Sequence, residues 1–316
     1  MVLVENWMPP SRENWELIVW GFQWFPLVTI IQWVQPWYGA GKTSSNSRFN
    51  LPGKLAWITM ELPGLMTMLY IMYTLPKEVG LNALPWENKL MAGLYTIHYI
   101  NRALIGPLMS PSMSPIHFIV WLAAIAFQVT NATSLGCYFA GYGPVTRTDW
   151  KPISGNPYVN GARIELGMMI FFLGLVSNIF HDDELREIRR AALRKQAAQN
   201  DPSTGKNKGS GKVDKVYMLP QNGLFNYILY PHYFCEWIEW AGFFIMAGSG
   251  CVPARNFLIN EVATMLPRAL QGKAWYVKRF GREKVGARKA IIPGILVVHR
   301  AETEMEGYTE TRNESR

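Results

Sequence analysis

Ile116-His-Phe-Ile-Val-Trp-Leu-Ala-Ala-Ile-Ala-Phe-Gln-Val-Thr-Asn-Ala-Thr-Ser-Leu135 runs through twenty residues without an Asp, Glu, Lys or Arg. A helix of about 17 to 25 apolar residues crosses a hydrocarbon core of about 30 Å, so this stretch reads as a membrane span. Working outward from it, six more apolar segments emerge, at about Leu17–Val34, Leu55–Leu75, Leu90–Met109, Ile164–Phe180, Tyr233–Val252 and Phe257–Leu270. The chain is 49% hydrophobic, 13% aromatic and only 17% charged, against roughly 25% charged in an average soluble domain. The expected fold is therefore an all-α membrane protein, a single bundle of about seven transmembrane helices with no Rossmann domain. Its expected divisions are a polar N-terminus at 1–16, a membrane domain at 17–298 and a polar tail at 299–316. Met1–Asn14 has neither a basic n-region nor a small-residue cleavage site, so the first apolar segment is expected to serve as an uncleaved anchor.

The formal net charge of +8 would suggest nucleic acid on a soluble surface. Here it is concentrated in stretches that flank apolar segments, where the positive-inside rule accounts for it. Asp183–Lys215 holds nine Lys/Arg against five Asp/Glu, and Arg268–Lys289 holds eight basic residues and one acid, Glu283. Both belong on the cytoplasmic face by charge, and two crossings separate them, so the placements agree. Such basic patches also hold anionic lipid without further function. Ser203–Lys212, rich in Gly, Ser and Lys, reads as a flexible insert within a cytoplasmic loop at about 183–215. Cys137, Cys235 and Cys251 form no CxxC pair, and the five histidines have no ligand spacing. No metal site, no disulfide framework and no required protein partner is expected.

Ionisable residues inside a bilayer cost roughly 2.5 kcal/mol or more at a helix centre, which makes them the sharpest clue to function. Glu61 lies six residues into the second segment, in Trp57-Ile-Thr-Met-Glu61-Leu-Pro63, and the third contains His98-Tyr-Ile-Asn-Arg102. Glu61 and Arg102 either neutralise each other between helices or line a polar pocket in an apolar bundle. Where the fifth segment ends, Asn178, Asp182, Arg186 and Arg189 step by four, four and three along one helical face. An amide, a carboxylate and two guanidiniums in line suit a ribose and its phosphates; an amphipathic surface helix with salt bridges has the same spacing. Tyr217-Met-Leu-Pro-Gln-Asn-Gly-Leu-Phe-Asn-Tyr227 follows, with Pro220 and Gly223 marking a turn, then Glu236 and Glu239 in an otherwise apolar helix. There is no GxGxxG and no Walker loop.

Taken together these motifs resemble the steroid 5α-reductase family of membrane enone reductases. Ala56-Trp-Ile-Thr-Met-Glu61-Leu-Pro63 is similar to the family's substrate-site segment, and His98-Tyr99-Ile-Asn-Arg102 to its His-Tyr-x-x-Arg segment. Asn178 to Arg189 resembles its cofactor helix. Tyr217 to Tyr227 with Glu236-Trp-Ile-Glu239-Trp240 resembles its most distinctive motif, and Arg268 to Pro293 its closing segment. The likeness covers about residues 36 to 298, in order. It implies a seven-helix endoplasmic-reticulum enzyme that uses NADPH to saturate a 4-ene-3-oxo steroid.

By the same resemblance Glu61 and Tyr99 polarise the substrate carbonyl, and Arg102 and Tyr38 contact the substrate, with Tyr38 close to the cofactor. Asn178, Asp182, Arg189, Tyr217, His232, Glu236, Arg268, Tyr276 and Arg288 line the NADPH site. His232 stands where animal steroid reductases have asparagine, Gly272 replaces a histidine, and Ser110–Pro115 replaces a segment with Asn and Arg. These departures leave the chemistry standing and open the choice of substrate. A very-long-chain 2-enoyl-CoA, a polyprenol-type lipid and a secondary-metabolite enone are the alternatives, although Glu61 with Tyr99 favours a ketone over a thioester. A membrane methyltransferase would need an Arg-x-His-Pro-x-Tyr element, of which Pro231-His-Tyr233 is only a fragment; the ordered cofactor motifs likewise count against a non-catalytic scaffold or transporter.

Overall fold

The computed structural model describes residues 2–35, 37–151, 157–199 and 218–293. Its helices are α1 (Arg12–Phe22), α2 (Phe25–Thr29), α3 (Ile31–Val34), α4 (Gly53–Glu78), α5 (Trp86–Tyr99), α6 (Gly106–Met109), α7 (Phe118–Cys137), α8 (Pro157–Gln199), α9 (Pro231–Ala247), α10 (Val252–Phe280) and α11 (Arg282–Val285). A π-helical turn, Ile100–Ile105, joins α5 to α6, and a second, Tyr138–Tyr142, prolongs α7. The described residues contain one two-stranded sheet, Asn50–Leu51 antiparallel to Ile116–His117, which ties the start of α4 to the start of α7.

Among the described residues, four helical stretches are long and apolar enough to cross a bilayer: Arg12–Val34, Gly53–Glu78, Phe118–Tyr142 and Ala162–Lys195. The expected count of seven is not confirmed. The other three expected segments are helical, but α9 has only 17 residues, and α5 and α10 are interrupted by polar side chains such as His98, Arg255, Asn260 and Arg268. Outward-facing residues of α8 suit lipid: Leu166, Met169, Leu173 and Val176 are each more than half exposed and fall on one side of the helix. The 43 residues of α8 would stretch about 65 Å at 1.5 Å per residue, far beyond a hydrocarbon core. The charged run that begins at Asp183 therefore continues the helix to Gln199 instead of looping away at once. Its strong helix formers and the Arg186–Asp183 and Arg190–Glu187 pairs three residues apart support that extension.

The core is aromatic. Tyr95, Tyr99, Phe139, Phe171, Trp240, Phe243 and Phe257, all buried, pack where α5, α7, α8, α9 and α10 converge. Contact between α8 and α9 is close because glycine lies on both sides: a Cβ on Gly174 would come within 2.3 Å of the Glu239 amide nitrogen, and one on Gly242 within 2.5 Å of the Phe171 amide nitrogen. Small residues let backbones approach where no hydrophobic force draws helices together. That approach sets Asn178 of α8 beside Glu236 of α9.

Candidate active site

The side chains that cost most to bury converge on Arg102, in the π-turn after α5. Its Nε donates to Glu61 Oε1 of α4 at 3.3 Å, and its Nη1 reaches the Glu236 carboxylate of α9 at 3.1 Å. Glu61 and Glu236 are 3% and 2% exposed, so each charge is matched by a partner because water is not there to match it. His98, one helical turn before Arg102, meets Glu239 through Nδ1 at 2.7 Å and lies 3.9 Å from Glu236. Asn178 Nδ2 donates to the His232 carbonyl at 2.8 Å and reaches Glu236 at 3.5 Å. Trp57 closes the group from α4 by donating its indole N–H to the Arg102 carbonyl at 3.1 Å. The π-turn has a physical consequence: one extra residue per turn re-aims Arg102 between two carboxylates on different helices.

Glu61 does not hydrogen-bond Tyr99. Its second oxygen, Oε2, accepts from Gln128 Nε2 of α7 at 2.5 Å. Tyr99 stacks on Tyr95 with ring centroids 4.4 Å apart and packs against His98 and Trp240.

A cleft opens from this network toward the charged end of α8. Trp57, His98 and Arg102 wall one part of it, and Asn178, Asp182, Arg186 and Arg189 another. The four-four-three face read from the sequence thus turns into one cleft. His181 fixes its edge: Nδ1 is 2.6 Å from the Ser177 carbonyl and Nε2 accepts from the Leu224 amide at 3.1 Å, which pins the Gly223 turn (φ +58°) against α8.

Beside this cleft, immediately after its Gly41 wall, stands Lys42, a residue that spacing in the sequence did not single out. Its ammonium donates to the Tyr230 hydroxyl at 2.9 Å and lies 3.7 Å from the centre of the Tyr276 ring. Burial, and then the charge of Arg189, depress its pKa to about 7. Neither Lys42 nor Arg189 has a carboxylate partner among the described residues; Arg189 donates to the Ser112 carbonyl at 3.3 Å. In the sequence Lys42 is only a loop lysine after Gly39-Ala-Gly41, between two apolar segments. Tyr230 reaches Lys42 only because residue 272 is glycine, since a Cβ there would come within 1.6 Å of the Tyr230 hydroxyl.

The remaining expected site residues scatter around this centre. Tyr38 lies under the Arg268 guanidinium, 5.2 Å from ring centre to Cζ, and Arg268 donates to Gln32 at 3.2 Å. Tyr276 is buried beneath Lys42. The His232 ring meets the Tyr233 ring edge to face, and its Nδ1 is buried without a hydrogen-bond partner among the described residues. Arg288 donates to the Pro220 carbonyl at 3.2 Å, and lies outside the cleft lining. Tyr217 falls outside the described residues, as do most of the 196–212 insert and the whole 299–316 tail.

Residues 206–296 match a family model described as 3-oxo-5-alpha-steroid 4-dehydrogenase. An uncharacterized protein of Schizosaccharomyces pombe is 34% identical over 262 residues, covering 79% of this chain and 86% of that protein. A steroid 5-alpha-reductase of Solanum lycopersicum is 28% identical over 274 residues, covering 85% of this chain and 91% of its own. The 3-oxo-5-alpha-steroid 4-dehydrogenase 1 of Rattus norvegicus is 28% identical over 246 residues, covering 78% and 81%. The chain belongs to the steroid 5-alpha-reductase family, whose members are oxidoreductases acting on CH–CH groups.

Proposed function

We propose that this protein reduces the C=C bond of a 4-ene-3-oxo steroid, or an apolar enone of similar shape, with NADPH as reductant. We place the activity in the endoplasmic-reticulum membrane, on the strength of the resemblance and of the four apolar helices. The observation that carries the reading is the position of Arg102, which joins Glu61 on one side to Glu236 and the Asn178–Arg189 cleft on the other. Such a link brings Glu61 and the cleft within one side chain of each other, which supports reading them as a carbonyl-polarising group and a nucleotide site.

The residues of the cleft fit a phosphorylated nucleotide. Lys42 and Arg189 are cations with no carboxylate partner among the described residues, and Asp182 and Asn178 beside them have acceptor and donor chemistry suited to ribose hydroxyls. NADPH, when bound, supplies a hydride from its nicotinamide. Such a transfer to the β-carbon would move an electron pair onto the ketone oxygen, and the α-carbon would then take a proton from water or a nearby acid. Tyr99 donates to that oxygen, and Glu61 does so only in its protonated form: a donor aimed at it from a site without water lowers the barrier most directly. Arg102 holds the Glu61 carboxyl, and Trp57 holds Arg102 through its carbonyl. In this reading the steroid body lies against apolar residues of α4, α5 and α7.

Incubation of the purified protein with NADPH and a panel of enones, read by mass spectrometry, tests the proposal. A gain of two hydrogens on a 4-ene-3-oxo steroid supports it; no gain on any enone of the panel contradicts it. NADPH should outcompete NADH, because the lone cations offer partners to a 2′-phosphate. Equal affinity for both would remove Lys42 and Arg189 from the cofactor site.

A further inference from the structure

We infer that Gln128 is a positioning residue for Glu61, an inference that rests on the catalytic reading of that carboxyl. Glu61 is held from two directions by donors of different kind. Arg102 takes Oε1 with a fixed charge, and Gln128 takes Oε2 with a neutral amide at 2.5 Å. An arginine can only donate, so its bond suits a carboxylate. An amide carries a donor and an acceptor on one planar group. Gln128 Oε1 is buried and has no hydrogen-bond partner among the described residues. Turned over, the same amide accepts from the O–H of a protonated Glu61. Gln128 can therefore keep the carboxyl plane in register with the substrate whether or not the proton is on it.

The surroundings preserve that freedom. Gly64, one turn after Glu61 on α4, leaves the space into which the amide points. A Cβ at this position would come within 2.7 Å of Gln128 Oε1 and 3.2 Å of the Tyr95 hydroxyl. Tyr95 is fully buried, its hydroxyl lies beside Tyr99 and Asn131, and its ring packs on Tyr99. The unpartnered Gln128 oxygen beside Glu61 and the Tyr95 hydroxyl beside Tyr99 thus meet over a glycine. A buried polar atom left without a partner is costly, and a group that must change partners during a reaction needs one in reserve. Gln128 lies in the segment read first as a plain membrane span, and an amide amid apolar residues gives no signal of its own at sequence level.

Four variants, Gln128→Met, Gln128→Glu, Gly64→Ala and Glu61→Gln, test the inference on the full-length protein in detergent or nanodiscs. Turnover of a 4-ene-3-oxo steroid, KM for NADPH and the pH profile are read for each. Gln128→Met keeps the length of the side chain and removes both polar atoms. It should lower kcat about 10- to 100-fold and leave KM for NADPH within a factor of two. Gln128→Glu sets a second carboxyl against Glu61, and the pair bonds only while it shares a proton, so its activity should rise toward acid pH where the parent's does not. Gly64→Ala, which leaves the amide chemically intact and takes its space, should lower kcat three- to tenfold. A purely structural Gln128 would lower thermal stability without that acid-shifted profile. Parental kcat in Gln128→Met, or a parental profile in Gln128→Glu, overturns the inference while Glu61→Gln is inactive. A fully active Glu61→Gln overturns the catalytic reading of Glu61 and this inference with it.

Discussion

Arg102 and Lys42 are two half-buried cations on adjoining parts of one protein, and their surroundings are opposites. Arg102 sits between two carboxylates, Glu61 and Glu236, each about 3 Å away. Lys42 sits on three aromatic rings, hydrogen-bonded to a phenol, with a second cation as its electrostatic neighbour. The first arrangement satisfies its charge internally and holds geometry. The second leaves its charge unsatisfied and is ready for an anion that the chain does not supply. The contrast separates structural support for a reacting centre from a binding cleft, and substitutions at each should behave accordingly.

The largest expected effect is on the Arg102 side. Glu236→Ala leaves Arg102 half-paired and should cost about 3–5 kcal/mol of stability, as breaking a buried pair does, seen as a marked fall in Tm in detergent. Lys42→Met, by contrast, should lower Tm much less, because it strands only the Tyr230 hydroxyl and no buried charge. Equal losses of Tm in the two variants would erase the distinction.

Next come Glu61→Ala and Tyr99→Phe, each expected to lower turnover about 10²- to 10³-fold, as for a lost oxyanion donor. The double variant should be little worse than the poorer single one, because residues acting together are not additive. Glu61 is hydrogen-bonded to Arg102 and Gln128 and not to Tyr99, which makes this cycle informative: losses that multiply would mean two independent roles.

How much of this was legible beforehand follows from the physics of each feature. Glu61, Arg102, Glu236 and Glu239 could be singled out because a charge in an apolar segment is expensive, and the structure gathers the first three at one point. The Asn178–Arg189 face was legible because helical periodicity holds over twelve residues and α8 is unbroken there. The π-turn at Ile100–Ile105 was not, since nothing in residue type marks an extra residue per turn. Nor were Lys42 and Gln128, a loop cation and an uncharged amide, whose meaning depends on which distant residues arrive beside them: Tyr230, Tyr276 and Gly272 for one, Glu61 and Gly64 for the other. The span count suffered from the same cause in reverse. Polar residues that serve the site in α5 and α10 depress the apolar signal of the helices that carry them.

Smaller effects sharpen the cleft. Lys42→Met should weaken NADPH binding about tenfold, measured by fluorescence of the bound nucleotide. The free protein's Lys42 is half-protonated at about pH 7, and a phosphate favours the ammonium form. Cofactor affinity should therefore fall as pH rises through 7, and the variant should lose that slope. Gly272→Ala should reproduce part of the loss by driving the Tyr230 hydroxyl off Lys42. At the bottom of the scale, Arg12→Ala removes an exposed pair with Glu16 and should change stability by no more than about 0.5 kcal/mol; a larger effect would mean that surface pairs in this protein cannot be compared with buried ones.

The most direct measurement follows a single hydrogen. The full-length protein is supplied with NADPH deuterated at the transferable position of the nicotinamide and with a 4-ene-3-oxo steroid, and the product is analysed by mass spectrometry and NMR. The account predicts a saturated ketone with one deuterium, on the former β-carbon, and one solvent-derived hydrogen on the α-carbon, formed by the parent and lost in Glu61→Ala. Deuterium on the carbonyl carbon, deuterium absent from the product, or equal labelling by the parent and Glu61→Ala would contradict it.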